Sequence, residues 1–251
     1  MIAMMLQEKE MIQKTDFSSV QYLRMGSAPV SSSLLKSIKE VLPQVHVTNA
    51  YGTTEGGPVV FGPHPKGLEQ PALSVGYPHS NVQLRLVNGV LELKSPGLML
   101  GYHKALTRVP VLKSPFTEDG YYVTGDMFRV DENGFYSFIG RSDDMFVSGG
   151  ENIYPSEVER LLESHPLVQQ AAVVPVEDEI KGYKPAAFVV IKPGNLLSSE
   201  SLKQYCLKHA PAYQHPRWIW FLNELPLAST NKIDKARLLE EAKSLVLSTQ
   251  N

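Results

Sequence analysis

The stretch NAYGTTEGG, Asn49 to Gly57, gathers an aromatic ring, two hydroxyls and a carboxylate among glycines. Tyr51 offers a flat face to a nucleobase. Thr54 can bond a phosphate oxygen, and Glu55 is the hard-oxygen donor that Mg2+ takes. The same residues also read as a glycine-rich turn with a solvated glutamate. Downstream, YYVTGDM places Asp126 after a glycine in a strand-like run. A carboxylate there can accept two hydrogen bonds from a ribose diol, each contributing about 1.5–3 kcal/mol. An Asx-turn is the plainer reading of a lone TGD.

Three more candidates follow. In IGRSDD, Arg141 could reach ribose or phosphate oxygens, or form a surface ion pair with Asp143 or Asp144. In VSGGENIYPSEVE, Gly149 and Gly150 allow close approach to a ligand or positive φ. The same segment also reads as a bend into a helix, with Pro155 and Glu157 as helix-start residues. Lys232, in the polar loop STNK, could reach a site on another domain or stay in solvent.

Positioning these groups requires an ordered framework. Val20–Met25 reads as a strand, Ser31–Leu42 as an amphipathic helix and Val45–Ala50 as a second strand. This order predicts a parallel βαβ unit, with the loops after Met25 and Ala50 side by side at the carboxyl ends of the strands. Asn88-Gly89 between alternating runs predicts a hairpin, and DENG (Asp131–Gly134) joins another strand pair. After Arg141 the pattern becomes helix, two strands, helix, strand and helix. We therefore expect α/β plus α+β: a βαβ and β-rich part over 1–141, joined by a hinge to a small α+β domain over 142–251.

The 251 residues carry a net charge of −2, which excludes a broad electrostatic draw to nucleic acid. No run approaches the ~20 apolar residues of a membrane span. Cys206 is the single cysteine, and the N-terminus lacks the basic start and long apolar core of a signal peptide. The expected setting is cytoplasmic.

Taken together, YGTTE, TGD, GRSDD, SGGENIYPSEVE and the terminal lysine motif resemble the acyl-adenylate-forming (AMP-binding) superfamily, in its acyl-CoA and aryl-CoA synthetase form. The resemblance runs from about Ser18 to Leu239. It implies ATP, Mg2+ and coenzyme A as cofactors and a carboxylic acid as substrate, joined as acyl-CoA through an acyl-adenylate. Gly26, Ser27, Ala28 and Pro29 would line the adenine and acyl pocket. Tyr51, with Gly52 and Thr53 beside it, would meet adenine. Thr54 would touch phosphate and Glu55 would hold Mg2+. Asp126, helped by Arg141, would bind the ribose. Asp143 would be the hinge, Gly149 and Gly150 would flank the thiol path, and Lys232 would meet the carboxylate and α-phosphate.

The chain departs from this pattern in three places. The family's upstream phosphate loop is absent, so the sequence resembles the C-terminal half of a synthetase and implies a missing N-terminal half as partner. A family glycine is Asn231 here, and a usual arginine is Lys235. The alternatives are a non-catalytic nucleotide- or partner-binding fragment, or an adenylation domain that loads a carrier protein.

Overall fold

The structure, a computed structural model, describes residues 2–6, 8–26, 30, 32–62, 64–102 and 115–250. Ser27, Ala28 and Pro29, expected to line the pocket, lie outside the described residues. The chain divides into two compact units, Met1–Phe138 and Ile139–Asn251, whereas the sequence pattern placed the change after Arg141.

The first unit begins with helices α1 (Ile2–Met5) and α2 (Lys9–Lys14), then β1 (Tyr22–Met25), α3 (Ser32–Val41) and β2 (His46–Asn49). β1 and β2 are parallel, with Leu23 opposite Val47 and Met25 opposite Asn49. Parallel neighbours need a crossover, and α3 supplies it. Its apolar stripe packs Ile38, Leu34 and Leu35 around Met25 and Val30. This is the expected βαβ unit.

Two short antiparallel strands follow, β3 (Phe61–Gly62) and β4 (Tyr77–Pro78). Next come β5 (Gln83–Val87), β6 (Val90–Lys94), β7 (Tyr122–Val130) and β8 (Tyr136–Arg141), hydrogen-bonded in that order. The β5–β6 turn has Asn88 at φ 51° and Gly89 at φ 80°. Both central residues are left-handed, as a two-residue hairpin matched to strand twist requires. Asp131 closes the next turn by accepting from the amides of Asn133 and Phe135. Leu91, Leu93, Tyr122 and Phe128 form the core of this sheet with Val60, Phe61 and Val75.

The second unit contains β9 (Phe146–Ser148), β10 (Glu151–Ile153), α4 (Pro155–Glu163), β11 (Val168–Asp178), β12 (Gly182–Ile191), α5 (Ser199–His209), β13 (Trp218–Phe221) and α6 (Lys235–Gln250). The sheet order is β10-β9-β12-β11, with β13 parallel to β12. β11 and β12 read as continuous apolar runs because both faces are covered. Ala171, Val173, Ala187 and Val189 pack against α4 and α5, while Ala172, Val174, Phe188 and Val190 pack with Leu238, Ala242 and Val246 of α6. The β9–β10 hairpin was expected only as a bend. Its strands are three residues each, too short for a period-two pattern to show.

α4 holds Ile139, the first residue of this unit. The Ser156 hydroxyl and the Arg160 guanidinium both donate to the Ile139 carbonyl. A Cβ on Gly140 would lie 2.6 Å from Ser156 Oγ.

α4 also covers the edge of β11. Glu159 accepts from the Val173 amide at 2.9 Å and Glu163 from the Ala171 amide at 3.2 Å. Glu159 also pairs with Lys235 at 2.8 Å. Burial pushes the Glu163 carboxyl up from the ordinary 4.5 to about 7. The folded state therefore holds a proton that the unfolded chain releases, so this group's contribution falls as pH rises from about 4.5 to about 7. Glu163→Gln keeps an acceptor for Ala171 and removes the titration. Urea unfolding across that range should show a flatter pH dependence for the variant, and higher relative stability above pH ~7.

Among the described residues, no helix is long and apolar enough to cross a membrane.

Candidate nucleotide site

The carboxyl ends of β1 and β2 open into a cleft of about 470 Å3, lined by Arg24, Gly26, Ala50, Tyr51, Gly52, Thr53, Thr54, Pro58 and Val59. This is where a parallel sheet presents its ligand-binding loops. The Ala50 amide donates to the Met25 carbonyl at 2.6 Å and joins the two loops. A Cβ on Gly26 would lie 2.8 Å from the Ala50 carbonyl, so this crossing leaves no room for a side chain.

The YGTTE segment folds on itself. Thr53 and Gly57 exchange both backbone hydrogen bonds, at 3.1 and 3.0 Å. The Thr53 hydroxyl accepts from the Gly56 amide at 2.7 Å, so it is committed to the turn. Thr54 is exposed on the cleft wall and free of that duty. A Cβ on Gly52 would meet the Pro58 backbone at 2.6 Å. Backbone cannot yield as a flexible side chain can, which explains why glycine stands there.

Glu55 does not face the cleft with these residues. Tyr102 donates its hydroxyl to Glu55 Oε1 at 2.9 Å, and the Met99 amide donates to the Glu55 carbonyl at 2.7 Å. The carboxylate is half-buried and sits one residue from Thr54. Among the described residues, no group of three or more His, Cys, Asp or Glu side chains converges as a metal site. A single carboxylate still fits Mg2+, which commonly takes one or two carboxylates plus phosphate and water.

The physical reason for TGD lies in β7. The β6–β7 pairing slips between Val90/Met127 and Glu92/Val123, leaving extra residues on β7. Gly125 sits at φ 72°, the left-handed conformation such a bulge requires. Thr124 restores bonding by donating its hydroxyl to the Leu91 carbonyl at 2.8 Å and accepting from the Asp126 amide at 3.0 Å. The bulge re-aims Asp126, which is 7% exposed, onto Tyr51. The Tyr51 hydroxyl donates to Asp126 Oδ2 at 2.5 Å. The Tyr51 ring meets Phe128 and Phe61 edge-on, at 4.9 and 6.0 Å between centroids. Burial, and then the Asp126 carboxylate, push the Tyr51 phenol above its ordinary range. Tyr122 is raised as well, by burial and by the charge of Glu55.

The structure thus brings Gly26, Tyr51, Gly52, Thr53 and Thr54 to one cleft, with Asp126 bonded behind Tyr51. Sequence reading missed Arg24, a cation among the described residues of the cleft wall. Its position at the end of β1, two residues before Gly26, is the signal that could have found it.

Arg141, Asp143, Gly149, Gly150 and Lys232 belong to the second unit. Arg141 donates two bonds to Asp143, Nε to Oδ1 and a terminal nitrogen to Oδ2, each 2.9 Å. This pairing holds the Asp143 carboxyl below its ordinary range. Gly149 and Gly150, at φ 59° and 90°, form the β9–β10 turn. Lys232 is exposed in a loop closed by the Leu227–Ile233 bridge and by the Ala228 amide donating to its carbonyl at 2.8 Å. Asn231 takes φ 58°, so it occupies the left-handed position that glycine would fill.

This mixed α/β fold matches solved structures of adenylate-forming enzymes. The anthranilate CoA ligase AuaEII, in complex with anthranoyl-AMP, is 31% identical with a TM-score of 0.83, over 98% of this chain and 49% of that one. The amide bond synthetase McbA from Marinactinospora thermotolerans is 26% identical with a TM-score of 0.81, over 94% of this chain and 50% of that one. Residues 1–103 match the AMP-binding enzyme family and residues 157–232 match the AMP-binding enzyme C-terminal domain. The chain belongs to the AMP-binding enzyme family.

Among curated relatives, the mitochondrial medium-chain acyl-CoA ligase ACSF2 of Macaca fascicularis is 34% identical over 250 residues, covering 92% of this chain and 40% of the relative. The chain thus spans well under half of that relative's length. The relative is mitochondrial by name, in contrast to the cytoplasmic setting expected for this chain.

Proposed function

We propose that the chain is the C-terminal part of an ATP-dependent carboxylic acid–CoA ligase that works through an acyl-adenylate. The observation that carries this reading is the cleft at the ends of β1 and β2, with Tyr51 in its wall bonded to the buried Asp126. Tyr51 and Gly52 would take the adenine, Asp126 and Arg141 the ribose, and Thr54 the phosphate. Glu55 would hold Mg2+, which would offset negative charge developing on the phosphate oxygens. Lys232 would approach the carboxylate and α-phosphate during adenylation. Asp143 would be the hinge for domain rotation, after which Gly149 and Gly150 would flank the arriving thiol. Coenzyme A would supply that thiol, and the buried Cys206 fits a reducing, cytoplasmic setting. A medium-chain fatty acid is the first acid to try, because the ligase relative carries that substrate class in its name.

The test is acid- and ATP-dependent loss of the free coenzyme A thiol, with stoichiometric AMP, by the complete enzyme on medium-chain and aromatic acids. AMP release coupled to thiol loss supports the ligase. Adenylation that proceeds only to a carrier protein or an amine, with coenzyme A untouched, would replace this acceptor. No ATP turnover with any acid would leave a nucleotide- or partner-binding protein.

A further inference from the structure

We infer that the Tyr51 hydroxyl is the group that positions Asp126 for the ribose diol, so that ribose recognition in this site is a property of the Tyr51–Asp126 pair. The inference rests on the nucleotide reading of the cleft.

Tyr51 lines the cleft, whereas Asp126 is 7% exposed and is not among the described residues of the cleft wall. The two are joined by the 2.5 Å bond from the phenol to Oδ2. A carboxylate has about four acceptor positions, so a bond from Tyr51 does not exclude bonds from a diol. The orientation of the carboxylate depends on what fixes it. On the backbone side, the Gly125 bulge and the Thr124 hydroxyl fix the Asp126 amide. On the side-chain side, the phenol holds Oδ2. The phenol is itself held, because Phe61 and Phe128 both pack against its ring. A ring alone, as in phenylalanine, would offer the same face to a base and would leave the carboxylate without this bond.

The two roles of Tyr51 can therefore be separated by ligand. Tyr51→Phe keeps the ring and deletes the hydroxyl. Calorimetric titration of the full chain with AMP and with 2′,3′-dideoxy-AMP reads the difference. We expect Tyr51→Phe to bind AMP about tenfold more weakly, the size of one hydrogen bond to a charged group. Its affinity for the dideoxy nucleotide should equal that of the unsubstituted chain. Phe128→Leu serves as the control for packing. It loosens the same ring without touching the bond, so it should lower the melting temperature and keep the preference for AMP over the dideoxy form.

Equal weakening of both nucleotides in Tyr51→Phe would overturn the inference, because the hydroxyl would then matter only to folding or to the base. Loss of the diol preference in Phe128→Leu, with its hydroxyl bond intact, would overturn it too. If Asp126→Ala keeps the diol preference, or the unsubstituted chain binds neither nucleotide, the nucleotide reading fails and this inference falls with it. If Asp126→Ala loses the preference while Tyr51→Phe keeps it, the reading stands and only the inference fails.

Discussion

Lys232→Ala should lower acyl-adenylate formation by about 10²–10³-fold in the complete enzyme, the effect of removing one preorganised charge-stabilising donor. Conversion of preformed acyl-adenylate to thioester should be nearly unchanged. The lysine is exposed on a loop with defined geometry, so truncating it disturbs no core. Negative charge develops at the α-phosphorus when the carboxylate attacks, and an ammonium group there stabilises that state more than the ground state. When a thiol attacks the acyl carbon, phosphorus keeps its four oxygens, and charge builds on the carbonyl oxygen and then on the departing AMP. Separate assays of the two half-reactions check this, and equal losses in both would assign Lys232 a structural role.

Asp143→Pro should block thioester formation in the complete enzyme and leave adenylation close to normal. Asp143 lies in the turn between β8 and β9, where a backbone torsion can serve two domain arrangements. Proline fixes φ and restricts the residue before it. Arg141 donates to Asp143, and α4 holds Ile139 through Ser156 and Arg160. Single-turnover measurement of each half-reaction decides the matter. A variant that loses both equally would argue for misfolding or for a hinge elsewhere.

Much of this framework was legible in the sequence, for reasons that particular elements show. α3 carries its apolar residues at helical spacing, and Asn88-Gly89 has the one chemistry suited to a two-residue hairpin turn. β11 and β12 are apolar on both faces because helices cover both. The placement of the Tyr51, Thr54 and Gly26 loops followed from topology, since adjacent parallel strands end together.

The less legible features depend on contacts between residues far apart in the chain. The Tyr51–Asp126 bond spans 75 positions and needs the Gly125 bulge, which no local pattern announces. The bond from Tyr102 to Glu55 likewise joins residues 47 positions apart. The tie between α4 and Ile139 joins residues 17 and 21 positions apart through one carbonyl. In the β9–β10 segment, the glycine pair was legible as a turn, but three-residue strands are too short to show their own period.

The central claim is that residues of the first unit form the adenosine side of an adenylate-forming site. Calorimetric titration of this chain with AMP and Mg2+-ATP, alongside Asp126→Ala, tests it most directly and requires no knowledge of the acid. The account predicts saturable binding of AMP that the substitution abolishes. Absence of nucleotide binding, or binding that survives Asp126→Ala, would contradict it.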